Sequence, residues 1–199
     1  MAASWEEQAG EAVAPAPRDD ADIKELSRVD RSKAFDLLVQ RYRKRLYYHA
    51  LYITKDSEAS LDVAQEVFVK AFHEPRIFAT GFHSRAWLFR VCTNRCYNLV
   101  RDRQRRSQIL DRIGREEGMG TGTHQAIDNL LEQEQSSTMG RVLDRLSPEH
   151  RTILVLRYFN DLSYQEIAEV LKVKIGTVMS RLSRAKVRLH DLLSEEEGV

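Results

Sequence analysis

The sequence predicts an all-α chain of two small helical domains joined by a flexible linker, and three observations predict it. Apolar residues recur at i, i+3, i+4 and i+7 along several stretches, the period of amphipathic helices. Between Ser107 and Thr123 that period is lost, and Gly114, Gly118, Gly120 and Gly122 fall close together, as in a linker. From Ser163 to Leu193 the chain reads as a short capped helix, a three-residue turn and a second helix, which is a helix-turn-helix.

A chain of 199 residues, 42% apolar and 31% charged, can build one or two small cores. No run approaches the roughly 18 apolar residues of a spanning helix, and the acidic, proline-containing N-terminus lacks the basic-then-apolar order of a signal peptide. The expectation is a cytoplasmic protein with no membrane insertion and no further domain after Val199. Cys92 and Cys96 stand four apart in one predicted helix without a cysteine–histidine pair nearby, so both read as core rather than as a disulfide or zinc site. The histidines are scattered and no nucleophile accompanies them, so no catalytic residue, metal or cofactor is expected.

Taken in order, residues 1–22 read as a disordered tail, with one base (Arg18) against six acids and an Ala-Pro-Ala-Pro run. A first domain is expected over 23–106. Ala34, Phe35, Leu38, Tyr42, Leu46, Ala50 and Ile53 predict an amphipathic helix from Ser32 to about Thr54, with Arg41, Arg43, Lys44 and Arg45 among its polar positions. Asp56 or Ser57 caps the next helix, which runs to about His73 with Leu61, Ala64, Phe68, Ala71 and Phe72 on one side. Its other side carries Asp62, Gln65, Glu66, Val69 and His73. A stripe of acids and an amide around an exposed apolar residue fits either a protein partner or a solvated face.

Glu74 to Ser84, with Pro75 and Gly81 around Phe78 and Phe82, reads as a loop, after which Ser84 caps a helix over Arg85–Arg106. Leu88, Cys92, Cys96 and Leu99 form its docking side. Trp87, Asn94, Asn98, Arg101 and Arg105 share another, a mixture of stacking, amide and guanidinium groups suited to DNA with unstacked bases, although Trp87 with Val91 equally fits a core. Seven arginines against Asp102 alone make this helix strongly basic. The formal net charge is nevertheless only +1, because the acidic tail and linker offset the basic helices.

The linker is placed at 107–135, although helical pattern resumes near Ile127. The second domain spans 136–194 and leaves a short tail at 195–199. Ser147-Pro148-Glu149 starts a helix to about Phe159, with serine as cap and proline at the first position. Ser163 with Glu166 forms a capping box over Ile167, Ala168 and Leu171. In the last helix Val178, Leu182, Ala185 and Leu189 make one apolar seam. Six bases (Lys172, Lys174, Arg181, Arg184, Lys186, Arg188) and no acid lie between Lys172 and His190, with Thr177 and Ser180 in the first turns. That is the pattern of a helix that meets phosphates and reads base edges from its N-terminal end; a solvated basic hairpin is the plainer alternative.

Four segments in register carry a family resemblance: Asp62-Val-Ala-Gln-Glu-Val-Phe-Val-Lys-Ala-Phe72, Trp87-Leu-Phe-Arg-Val-Cys-Thr-Asn94, Leu146-Ser-Pro-Glu-His-Arg-Thr-Ile-Leu-Val-Leu-Arg157 and Gly176-Thr-Val-Met-Ser-Arg-Leu-Ser-Arg-Ala185. Over about residues 30–194 the chain resembles bacterial RNA polymerase sigma factors of the extracytoplasmic-function (ECF) group of the sigma-70 family. The resemblance implies a region 2 in the first domain and a region 4 in the second. It implies that Asp62, Gln65, Glu66 and Val69 bind the clamp helices of the polymerase β′ subunit and that region 4 touches the β flap. Phe82 and Arg85, with Trp87, Asn94, Asn98, Arg101 and Arg105, would then open and read the −10 element, the loop before Ser84 holding a flipped base. Lys174, Thr177, Ser180, Arg181, Arg184 and Arg188 would read the −35 element. Core RNA polymerase, promoter DNA and an anti-sigma factor are the implied partners, and the polymerase supplies the catalysis. Asn98 replaces a frequent Asp and Met179 a frequent Lys of the family, so contacts at those two positions differ. The rival reading is a stand-alone helix-turn-helix regulator with a sensing or dimerising N-terminal domain, which would not need the second basic helix.

Overall fold

The protein is described by a computed structural model over residues 20–113 and 138–197. Among these the regular elements are all helical: α1 (Ala21–Val29), α2 (Arg31–Thr54), α3 (Ser57–His73), α4 (Ser84–Ile113), α5 (Thr138–Arg145), α6 (Pro148–Leu154), α7 (Tyr164–Leu171) and α8 (Ile175–Glu197).

The N-terminal module packs α2, α3 and α4 together, with α1 against α2. Leu38, Tyr42, Leu46 and Ala50 are fully buried along α2, as the apolar period requires, and meet Leu88, Phe89, Cys92 and Cys96 of α4. The Tyr42 and Phe89 rings meet edge to face at 6.4 Å. Two boundaries differ from the sequence reading. Residues 20–22, read as the end of the tail, belong to the fold: Asp20 is buried and accepts the Tyr42 hydroxyl at 2.9 Å, while Arg41 bonds both Asp20 and Asp22. This nine-residue helix has too little apolar surface of its own to signal itself, and Ile23 plus the ion pairs hold it. At the other end, α4 continues through Ser107 to Ile113, past the expected boundary at Arg106. The rest of the expected linker, and the helical pattern near Ile127, lie outside the described residues.

Caps explain several helix starts. Asp30 accepts the Lys33 amide, Asp56 the Ala59 amide and Ser147 the His150 amide. Ser84 behaves differently from expectation: it is the first helical residue, buried, and donates its hydroxyl to the Ile77 carbonyl. It therefore ties the preceding loop down, and Ile77 and Phe78 of that loop are buried. Gly81 supplies the one left-handed turn the loop needs, at φ +78°.

On α3 the buried side is Ser60, Val63, Ala64, Val67 and Ala71. Phe72, expected on that side, is instead 61% exposed and meets the Phe35 ring edge to face at 5.3 Å. On α2, Arg45 is buried rather than among the solvated positions.

The C-terminal module packs α8 against α5, α6 and α7. Beyond α6, Val155–Phe159 widens into a π-helical turn closed by the Asn160 amide on the Val155 carbonyl, where the sequence suggests plain helix. The Asn160 side chain donates to the same carbonyl at 3.2 Å, stabilising the wider ring. Arg151 is the knot of the module: its buried guanidinium donates to the carbonyls of Leu143, Asp144 and Leu146. It also reaches the Tyr52 carbonyl of α2 at 2.9 Å, one of the C-terminal carbonyls that no helix amide satisfies. The two modules are thus in contact, α7 against α4 and α6 against α2, and share one buried apolar cluster.

Candidate nucleic-acid and protein interfaces

The helix-turn-helix is set by local chemistry. Ser163 Oγ accepts the Glu166 amide at 3.2 Å and the Glu166 carboxylate accepts the Ser163 amide at 2.8 Å, which closes the capping box. Lys172 ends α7 in the left-handed conformation, φ 53°, with its amide on the Ala168 carbonyl. Ile167 and Val170 of α7 and Val178, Leu182, Ala185, Leu189 and Leu192 of α8 are buried against each other and α6. With that seam filled, the opposite side of α8 is open.

Of the residues read as its DNA-reading set, Lys174, Arg184 and Arg188 are exposed, and Thr177, Ser180 and Arg181 are half-buried. Ser180 donates its hydroxyl to the Thr177 carbonyl at 3.1 Å, so it must rotate to serve another acceptor. The open side also carries side chains that charge-counting passes over. Ile175, Met179 and Val187 are large, apolar and exposed, Met179 by 54%. Such groups suit the methyl groups of thymine in a major groove. Their sequence signal was the interruption of a basic helix by apolar residues off the core seam.

On α4, Asn94, Asn98, Arg101 and Arg105 are exposed and spaced along one side. Trp87 is half-buried, its ring 6.3 Å from that of Phe82, over which the Arg76 guanidinium sits at 5.4 Å. Arg85, read as part of the same set, is only 7% exposed. Its Nε and Nη2 hold the Glu166 carboxylate of α7 at 2.6–2.8 Å, so in this arrangement it faces the other module. Burial raises the Glu166 carboxyl, but the bonds from Arg85 and Ser163 outweigh it and leave the carboxyl below its ordinary range.

The stripe on α3 is also present as a surface. Asp62 and Gln65 are exposed, Val69 is 60% exposed, and Phe72 extends the apolar part toward the end of the helix. Glu66 is half-buried and paired fork to fork with Arg95 of α4 at 2.8 and 2.9 Å, so it is the one member already engaged within the chain. Among the described residues no group of His, Cys, Asp or Glu is placed to hold a metal ion, and no helix is long and apolar enough to cross a membrane.

Comparison with known proteins bears on these surfaces. The sigma-70 region 2 family matches residues 38–106 and the sigma-70 region 4 family residues 137–189. The RNA polymerase sigma-H factor of Pseudomonas aeruginosa is 32% identical over 160 residues, 77% of this chain and 83% of that protein. The ECF RNA polymerase sigma-E factor of Escherichia coli is 31% identical over 77% of this chain and 83% of its own. Among solved structures, the sigma factor RpoE in complex with the anti-sigma factor NepR from Bartonella quintana is similar, with a TM-score of 0.64 and 26% identity over 81% of this chain and 98% of that one. CnrH in complex with the cytosolic domain of CnrY gives 0.59 and 25%, over 88% of this chain and 97% of that one.

Proposed function

This chain belongs to the sigma-70 family, among its ECF RNA polymerase sigma factors, and from that premise we propose how its surfaces divide the work of starting transcription. As a sigma factor it binds core RNA polymerase and directs it to promoters, with anti-sigma factors as its other class of partner. Residues 23–106 act as region 2 and 136–194 as region 4. The α3 stripe of Asp62, Gln65, Glu66 and Val69 docks on the β′ clamp helices, and region 4 meets the β flap. Phe82, Arg85, Trp87, Asn94, Asn98, Arg101 and Arg105 engage the −10 element once its strands part. Lys174, Thr177, Ser180, Arg181, Arg184 and Arg188 read the −35 element as duplex. The chain performs no bond chemistry of its own and works in the cytoplasm, where the chromosome is.

One observation carries this division: two basic helix sides, on α4 and α8, stand on separate modules and differ in kind. The α4 side combines an indole with amides and guanidinium groups, which suits unstacked bases, while α8 presents its side chains from the outer helix of a helix-turn-helix, which suits a groove. A stand-alone regulator needs only the second.

The test is reconstitution. Mixed with core polymerase, the chain should confer initiation at particular sites of a promoter library that core alone ignores. Asp62→Arg with Val69→Asp should abolish holoenzyme assembly and leave helix content unchanged, because both side chains are exposed. Glu66 is left intact so that its ion pair with Arg95 does not confuse the result. Undiminished binding to core polymerase would remove α3 from the interface.

A further inference from the structure

The loop from Glu74 to His83 carries Phe82 and leads to Trp87, and its two halves are held differently. The inner half is fixed by the core: Ile77 and Phe78 are buried, and the Ser84 hydroxyl closes on the Ile77 carbonyl. The outer half, Ala79 to Gly81, is exposed and closes in short turns, the Ala79 amide on the Arg76 carbonyl at 2.8 Å and the Phe82 amide on the Ala79 carbonyl at 3.1 Å. Support for it comes from 58 positions earlier, where Lys24 of α1 donates its ammonium to the Phe82 carbonyl at 2.9 Å. At the start of the loop, Arg31 donates to the Glu74 carbonyl at 3.5 Å and lays its guanidinium over the Phe78 ring at 5.3 Å. Glu74 in turn holds Arg76 at 2.9 Å, whose guanidinium covers the Phe82 ring. Helix α1 is itself anchored on α2, by Asp20 on Tyr42 and by Asp20 and Asp22 on Arg41. A line of bonds therefore runs from α2 through α1 to the backbone of Phe82.

The lysine is not needed to satisfy that carbonyl. The Phe82 oxygen also accepts the Ser84 amide at 3.1 Å, so the fold tolerates an apolar side chain at position 24. What the ammonium adds is direction, because a charged donor fixes where the carbonyl and the ring beside it point. A platform for an unstacked base has to be ordered beforehand, or part of the stacking energy is lost in ordering it. We propose that Lys24 is a positioning residue for the −10 strand: from α1 it holds Phe82 beside Trp87 in the shape that receives an unstacked base, with Arg31 steadying the start of the same loop. The proposal rests on the assignment of Phe82 and Trp87 to the −10 strand given above.

The free chain is read first. With Trp5 replaced by Phe, Trp87 is the one indole left, and its emission reports on the Phe82 ring 6.3 Å away. Lys24→Met, which keeps an apolar stem, should shift that emission to the red with helix content by circular dichroism unchanged, and Lys24→Arg should restore it. Holoenzyme made with the same chains is then bound to a pre-melted −10 bubble whose non-template strand carries one abasic site, moved base by base. For the parent, one position should weaken binding about tenfold, the worth of one stacked base, and Lys24→Met should reduce that drop to about twofold. The slope of affinity against salt should stay the same, since no phosphate contact is lost. Unchanged emission, or a tenfold drop that persists in Lys24→Met, overturns the proposal. A loss spread evenly over all positions with a shallower salt slope also overturns it, because Lys24 would then touch phosphate itself. A parent with no sensitive position removes the loop from the −10 strand and takes the proposal with it, a failure of the earlier assignment that the parent alone reveals. Should Lys24→Met lose helix content, Arg31→Leu at its exposed site tests the other end of the loop. There a red shift and a drop reduced to about threefold are expected, and no change overturns the proposal.

Discussion

At the residue scale, His49 links stability to pH. It is fully buried on α2, its Nε2 is 2.8 Å from the Thr93 hydroxyl, and its Nδ1 has no partner. Burial pushes its pKa down to about 3 from 6.5, so the folded chain keeps it neutral where the unfolded chain protonates it. Between those two values the unfolded state binds one more proton, and stability falls as pH falls through that window, levelling off below the folded value. From pH 7 to 5 this one residue should remove about 2 kcal/mol, and urea unfolding of His49→Gln should lack that share of the pH dependence. On the DNA side, Arg184→Ala should cost about 1–3 kcal/mol of duplex −35 binding, mostly for the cognate sequence if the guanidinium reads a base. Asn94→Ala touches an exposed side chain, so its thermal stability should stay within about 0.5 kcal/mol of the parent. Its defect should be slow promoter opening, largely restored on a pre-melted −10 bubble; normal opening would take Asn94 out of the non-template strand contact.

At the element scale, what holds a helix and what it presents are separable. The α8 seam sets the presentation: Leu182 is buried at its middle, and Leu182→Ala should cost about 2–5 kcal/mol by chemical denaturation and loosen −35 binding through folding alone. The capping box at α7 acts more locally. Ser163→Ala should cost about 1 kcal/mol, measured the same way, with the open face of α8 unaltered at temperatures well below melting. The caps at Asp56, Ser147 and Ser163 were legible because a short polar side chain followed by helical period has one local explanation. Ser84 looked identical on paper. Its hydroxyl went to Ile77 because the buried loop before α4 brings that carbonyl within reach, which no local pattern encodes.

At the scale of the whole molecule, Arg151 and the shared apolar cluster join the two modules, so differential scanning calorimetry should show a single transition with equal calorimetric and van't Hoff enthalpies. Two resolved transitions would mean that each module unfolds alone. The amino-acid sequence by itself determined the helical class, the order of the elements, the helix-turn-helix, the acidic stripe of α3 and the two basic sides. All of these depend on spacing along one helix or on residues within one turn, where the backbone period dictates who neighbours whom. Tertiary structure decided the rest. It drew Asp20 into the fold through Tyr42 and Arg41, turned Phe72 outward, occupied Glu66 with Arg95, and placed Arg85 on Glu166. Those outcomes join side chains 21 to 81 positions apart or depend on which helix covers which, and a charged side chain reads the same in sequence whether its partner is water, DNA or its own chain.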